Sequence, residues 1–371
     1  MNGIDLLGFV GILGASLALS LVLVPLALRF ALRKQVLDHP GGYKQQDAPV
    51  PYLGGVAMLL AFALAVVAAA LVRPPTSGFE ELLVILGAAV ALSLVGLIDD
   101  LRGLGVTIRL VAMAAAGLAL WFGGTGVLLF GNPWIDATIT VLWVVGITNA
   151  MNLLDNMDGL SAGVAAIAAA TFFGVALLNG QVLVAALSIA LVGCAAGFLR
   201  HNRYPARIYM GDAGSLFLGV MLAALGIRLR LDAGPPIAVF VPLIALSVPI
   251  FDTALVTVSR ILAGKSPFEG GSDHASHRLV RLGLRVPVAV GLIYGAGAAS
   301  AWLGIAMSRQ TDVIAAWLLV TLWLSLAAMA SVVLVRASGG AAPATPTLRV
   351  TIAPSARSDT SVRRQTSETS A

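Results

Sequence analysis

Eleven apolar runs leave this chain few choices of fold. They lie at about 6–28, 53–72, 82–98, 106–122, 134–148, 161–178, 181–199, 213–228, 236–258, 286–308 and 313–335. A helix crossing a bilayer needs roughly 20 apolar residues, so the expected fold is an all-α polytopic membrane protein of about eleven transmembrane helices. Composition agrees: 58% of the 371 residues are hydrophobic, 11% are charged, and the mean hydropathy is +0.94. No soluble globular domain has that balance. One transmembrane domain is expected over 1–336. The Ala-, Pro-, Ser-, Thr- and Arg-rich stretch 337–371 reads as a disordered tail. The first run has no basic flank or cleavage site and is too long for a signal peptide, so it reads as a retained anchor. Asn179-Gly180 is a tight turn between two runs. Cys194, the single cysteine, sits inside a run and reads as packing.

The net charge of +5 and pI near 9.8 do not point to nucleic acid, because the basic residues are distributed by loop. With the N-terminus outside and eleven crossings, nineteen of the twenty-three lysines and arginines fall inside. Only Arg73, Arg228, Arg230 and Arg309 fall outside. Basic loops stay on the cytoplasmic side, which also puts the C-terminus there. The polar motifs were not used in that assignment, yet Asp99-Asp100, Asn149–Asp158, Gly211-Asp212 and Asp273–Arg278 all fall at cytoplasmic ends. Four loops bringing carboxylates, amides, histidines and arginines to one face predict one composite active site there. A transporter or lipid flippase, the rival of another class, would carry such groups near the midplane.

Each motif has its own chemistry. Asp99 and Asp100 close the third run, where adjacent carboxylates repel unless a cation or an arginine stands beside them. Arg109, just inside the fourth run, either contacts a phosphate or snorkels to the interface. Asn149, Asn152, Asp155 and Asp158 recur every third residue. That spacing predicts a helix end running into a turn at Gly159, with Asn152 and Asp155 on one face. Amide and carboxylate oxygens are hard ligands suited to Mg²⁺. In Met210-Gly211-Asp212-Ala213-Gly214-Ser215, Asp212 and Ser215 are placed to cap the following helix. Asp252, inside the ninth run, is either functional or a structural hydrogen-bonding group. His274 and His277 make a poor zinc pair without cysteines. With Arg278 they suit a pyrophosphate or a sugar.

In this order, the Asp-Asp pair, NAMNLLDNMDGL, MGDAGS, PIFDT and HASHRL resemble the polyprenyl-phosphate N-acetylhexosamine-1-phosphate transferases, glycosyltransferase family 4. PIFDT and the HASHRL loop resemble the branch that uses UDP-N-acetylglucosamine and undecaprenyl phosphate. The phospho-N-acetylmuramoyl-pentapeptide branch usually has consecutive histidines. The resemblance implies a multi-pass enzyme of the inner (plasma) membrane, working at its cytoplasmic face on a UDP-N-acetylhexosamine and a polyprenyl phosphate. It implies Mg²⁺, with Mn²⁺ as a substitute, and admits a homodimer. It implies that Asn152 and Asp212 hold the metal and that Asp99, Asp100, Asp155 and Asp158 are catalytic. Arg109, Asn149, Asp252, His274, His277 and Arg278 would bind substrate. The chain has Asn156, Arg109 and Ser276 where the family often has glycine, lysine and a further histidine.

Overall fold

A computed structural model of the protein describes residues 6–38, 49–74, 77–231, 235–266, 271–310 and 312–339. The elements are α1 (Leu6–Lys34), β1 (Leu37–Asp38), β2 (Val50–Pro51), α2 (Gly54–Val72), α3 (Phe79–Arg102), α4 (Val106–Phe122), α5 (Pro133–Leu154), α6 (Leu160–Leu178), α7 (Val182–Asn202), α8 (Gly211–Arg228), α9 (Pro235–Ala245), α10 (Ser247–Leu262), α11 (Ala275–Arg281), α12 (Val286–Ser308) and α13 (Val313–Gly339). β1 and β2 pair antiparallel as a two-residue clip. The tail expected at 337–371 lies, from 340 on, outside the described residues.

Every one of the eleven apolar runs falls on a helix, and the fold is an all-α polytopic bundle. Two details differ from the expectation. Among the described residues nine helices are long and apolar enough to cross a membrane, and α4, at 17 residues, is shorter. The run 236–258 is also not one straight helix: its two parts, α9 and α10, bend by 75°. Pro249 is the physical reason. It has no N–H to give the carbonyl of Ala245, so the helical ladder breaks at Leu246.

The short run 213–228 becomes the middle of the molecule. Fifteen of the eighteen residues of α8 are buried, and the helix packs on α2, α3, α5 and α6. Its glycines explain why a run with little side-chain bulk sits there. A Cβ on Gly96 of α3 would overlap the backbone carbonyl of Asp212, and one on Gly55 of α2 would overlap the backbone of Gly214. Three helices therefore meet backbone to backbone at the start of α8, and Phe62 and Phe217 fill the layer beyond, with ring centroids 5.5 Å apart.

Polar ties mark the two ends of the bundle. At one end Arg228 pairs with Glu81 at 3.1 Å, and Arg230 bonds Gln181 and the carbonyl of Gly126. At the other end lie the four acidic and basic motifs. Because backbone is the obstacle at Gly96, Gly96→Val should cost about 3 kcal/mol of stability, the upper range for overpacking. Gly87→Val, where nothing lies within 4 Å, should leave the thermal midpoint in detergent close to that of the parent. Equal midpoints for the two variants would contradict the close crossing.

Candidate active site

The site begins with a helix that cannot cap itself. Met210 occupies the N-cap of α8 and offers no side-chain acceptor. The carboxylate comes instead from α3: the N–H groups of Asp212 and Ala213 donate to the two oxygens of Asp100 at 2.9 and 3.2 Å. The expectation that Asp212 and Ser215 cap this helix is thus corrected. They lie in its first turn, and the cap arrives from a residue 112 positions earlier in the chain. Gly211 makes the approach possible, with φ +66° and no Cβ to strike the Asp100 carboxylate. Tyr52 fixes the same corner by donating to the carbonyl of Asp100 at 3.1 Å.

Next to the cap, one nitrogen joins two acids. Nη1 of Arg109 lies 3.0 Å from Asp99 and 2.9 Å from Asp212. The repulsion anticipated for the acidic pair is relieved in this way. Asp99 is buried and also accepts the N–H of Leu104 as its helix ends. From α5, the Asn152 amide donates to Asp212 at 2.8 Å and to Ser215 at 2.9 Å. Asp212 thus accepts from Asn152 and Arg109 and also lies against Asp99. Among the described residues no three His, Cys, Asp or Glu side chains close on a common point. Mg²⁺ keeps several waters and takes only one or two carboxylates. Asp212 could hold such an ion together with the amide oxygen of Asn152, which a half-turn of the amide presents.

The helix end expected at Asn149–Gly159 is where the sequence puts it. α5 stops at Leu154, and Gly159, with φ +78°, starts α6. Asp155 turns toward the cluster: burial, then the nearby carboxylates of Asp212, Asp100 and Asp158, push its carboxyl up to about 8. Asp158 turns the other way and accepts the N–H of Ala206 at 2.8 Å. Burial raises Asp158 too, and that hydrogen bond opposes the rise. Asn149 takes no part in these contacts. Sequence reasoning missed Asn202, buried at the end of α7. It accepts from the N–H of Gly159 and donates to the carbonyl of Ile208, so it fixes the two loops together.

A second group of side chains forms on α10 and α11. Asp252 is buried, with Oδ2 2.7 Å from Nδ1 of His274 and Oδ1 accepting the N–H of Ala275 at 2.7 Å. With the Asp252 carboxylate as acceptor, the hydrogen of this pair lies on Nδ1 of His274. Both oxygens of Asp252 are used at the start of α11. His277 lies with its ring centroid 6.1 Å from that of His274. Burial, then the neighbouring His274, lower its pKa to about 4, so it is neutral at physiological pH. Arg278 donates to the carbonyl of Asp273 and to the Ser259 hydroxyl, each at 2.8 Å. The buried Arg260, which the sequence reading used only for topology, pairs with Asp273 at 3.2 Å.

Residues 82–230, which carry the acidic half of this site, match the model of Glycosyl transferase family 4. A Bacillus subtilis (strain 168) protein, a probable undecaprenyl-phosphate N-acetylglucosaminyl 1-phosphate transferase, is 32% identical over 84% of this chain and 85% of its own length. The chain belongs to glycosyl transferase family 4. Another relative is the decaprenyl-phosphate N-acetylglucosaminephosphotransferase of Mycobacterium leprae, 33% identical over 74% of this chain and 76% of that protein. A phospho-N-acetylmuramoyl-pentapeptide-transferase of Symbiobacterium thermophilum is 33% identical over 79% of this chain and 92% of its own. These likenesses extend well past the matched segment, so the histidine-bearing half lies within a glycosyl transferase family 4 chain.

Arg109 is the cation between Asp99 and Asp212 and is partly exposed, so Arg109→Gln should destabilise the protein by about 1.5 kcal/mol, the low end for hydrogen bonds to a charged group. Arg109→Lys should restore most of that loss, because a single nitrogen makes both contacts. A glutamine variant with the parent's thermal midpoint would contradict the bridge.

Proposed function

We propose that this protein transfers N-acetylglucosamine 1-phosphate from UDP-N-acetylglucosamine to undecaprenyl phosphate. UMP leaves, and a lipid-linked sugar pyrophosphate begins a cell-wall or surface glycan. The observation that carries this reading is the likeness, over 84% of the chain, to the Bacillus subtilis relative of that name. The acid- and arginine-lined site at one end of the bundle supports it chemically. Phosphoryl transfer asks a protein mainly for charge neutralisation and in-line placement. We assign the site to the cytoplasmic face of the inner membrane on the distribution of lysine and arginine, because a lipid phosphate must meet a cytosolic nucleotide there.

In this mechanism a phosphate oxygen of the lipid attacks the β-phosphorus of the donor, and the bond from that phosphorus to the UMP oxygen breaks. Asp212 and Asn152 would hold Mg²⁺, with Mn²⁺ as a substitute, which would supply positive charge at the pyrophosphate. Asp99 and Asp100 fix the start of α8 and the Arg109 guanidinium beside the lipid phosphate. Asp155 and Asp158 act near the nucleotide and metal. His274, through Nε2, with His277 and Arg278, faces the sugar and pyrophosphate. The muramoyl-pentapeptide reaction is the second reading, favoured by the relative in Symbiobacterium thermophilum, 92% of which is covered.

The test is UMP release by purified protein with undecaprenyl phosphate and Mg²⁺, each donor offered separately. Release with UDP-N-acetylglucosamine alone is expected. Release with the muramoyl-pentapeptide donor alone would overturn the choice of donor, and release with neither would overturn the function. Asp212→Asn should lower turnover by about 10³-fold, the scale for losing a group that stabilises transition-state charge, while the protein still inserts. Parent-like rates in that variant would sink the metal assignment.

A further inference from the structure

The site has two halves that come from different parts of the chain. The acidic half is built on α3, α4, α5 and α8, and the histidine half on α10 and α11. Helix α11 has only seven residues, too few to hold a helix by itself. It is fastened to α10 by the Asp252 contacts to His274 and Ala275 and by the bond from Arg278 to Ser259. None of these bonds ties it to the acidic half. Asn156 does. Its Nδ2 donates to the carbonyl of Leu153 at 2.9 Å, and its Oδ1 accepts the hydroxyl of Ser276 at 2.6 Å. Ser276 is 1% exposed, and the two residues are 120 positions apart.

We infer that Asn156 and Ser276 form a latch that sets the distance between the carboxylates and the histidines, and so sets affinity for the nucleotide-sugar donor. The bond to Leu153 fixes the Asn156 side chain against the end of α5, between Asp155 and Asp158. Its other end holds Ser276 of α11, the helix that follows His274 and carries His277. Both are positioning residues. Neither needs to touch the substrate. A donor whose pyrophosphate sits on the acidic half and whose sugar sits on the histidine half must span the latch, whereas the lipid phosphate meets the acidic half alone. This assignment of ligands rests on the function proposed above; the latch itself does not.

The experiment compares the parent with Ser276→Ala, Asn156→Ala, the double variant and Ser276→Thr. Amide hydrogen exchange over residues 271–281 reads the latch without any turnover. Faster exchange in both alanine variants and parent-like exchange in Ser276→Thr are expected. In UMP release, each alanine variant should raise KM for UDP-N-acetylglucosamine about fivefold, as for one lost hydrogen bond. KM for undecaprenyl phosphate and kcat should stay within about twofold, within the usual spread of such effects. The double variant should be no worse than the worse single, because both remove one bond. Unchanged exchange in α11 would overturn the latch. Faster exchange with kcat falling and KM unchanged would overturn its role in donor affinity. A parent inactive with this donor would overturn the proposed function and the donor role, leaving exchange to decide the latch.

Discussion

The start of α8 is the constraint on which the rest depends. A helix that begins among packed neighbours has amide donors with no partner inside the helix, and leaving such donors unmet costs free energy comparable to a lost hydrogen bond. The chain answers with the Asp100 carboxylate from α3. That choice brings negative charge to the helix start, where the dipole favours it. It also sets three acids close together, and Arg109 is then required between Asp99 and Asp212. Capping, charge balance and the chemistry of the site are thus one arrangement of side chains. The glycines at 55, 96, 211 and 214 let the backbones come close enough for it.

The same arrangement explains why the site lies at an end of the bundle. Ionised groups deep in hydrocarbon are costly, and α8 is apolar from Leu216 to Ile227. The second half of the site obeys the same economy of charge. Asp252 is the most deeply buried of its acids and has both oxygens occupied by α11. The break at Leu246, imposed by Pro249, carries that aspartate on a separate helix, aimed differently from α9. A transferase of this family thus positions an acidic cluster by helix packing and a histidine pair by a bent helix and a seven-residue one.

Most of the architecture was legible in the sequence because apolar run length is a direct signal of a membrane helix. The eleven runs, the helix end before Gly159 and the turn at Asn179-Gly180 all appear where pattern and punctuation put them. The convergence of the four motifs at one end was legible through the alternation of basic loops. What could not be read were the partners. Asp212 and Ser215 look like a local cap, and nothing in a one-dimensional pattern says that a residue 112 positions away does that work. Asn202 was passed over, and Asn156 and Ser276 stood out only as departures from the family pattern, because each is a single small polar residue in a polar stretch. Only the packing of α7, α10 and α11 on the loop after α5 gives them partners. The faint signal was that Asn156 and Ser276 both depart from the family pattern, and they turn out to touch each other.

The most direct measurement of this account is amide exchange at Asp212 and Ala213 in Asp100→Ala, alongside its turnover. Both amides should lose protection, stability should fall by about 1 kcal/mol as for a lost helix cap, and turnover should fall with them. Amides as protected as in the parent, with turnover intact, would show that the start of α8 is held by something other than Asp100 and would contradict it.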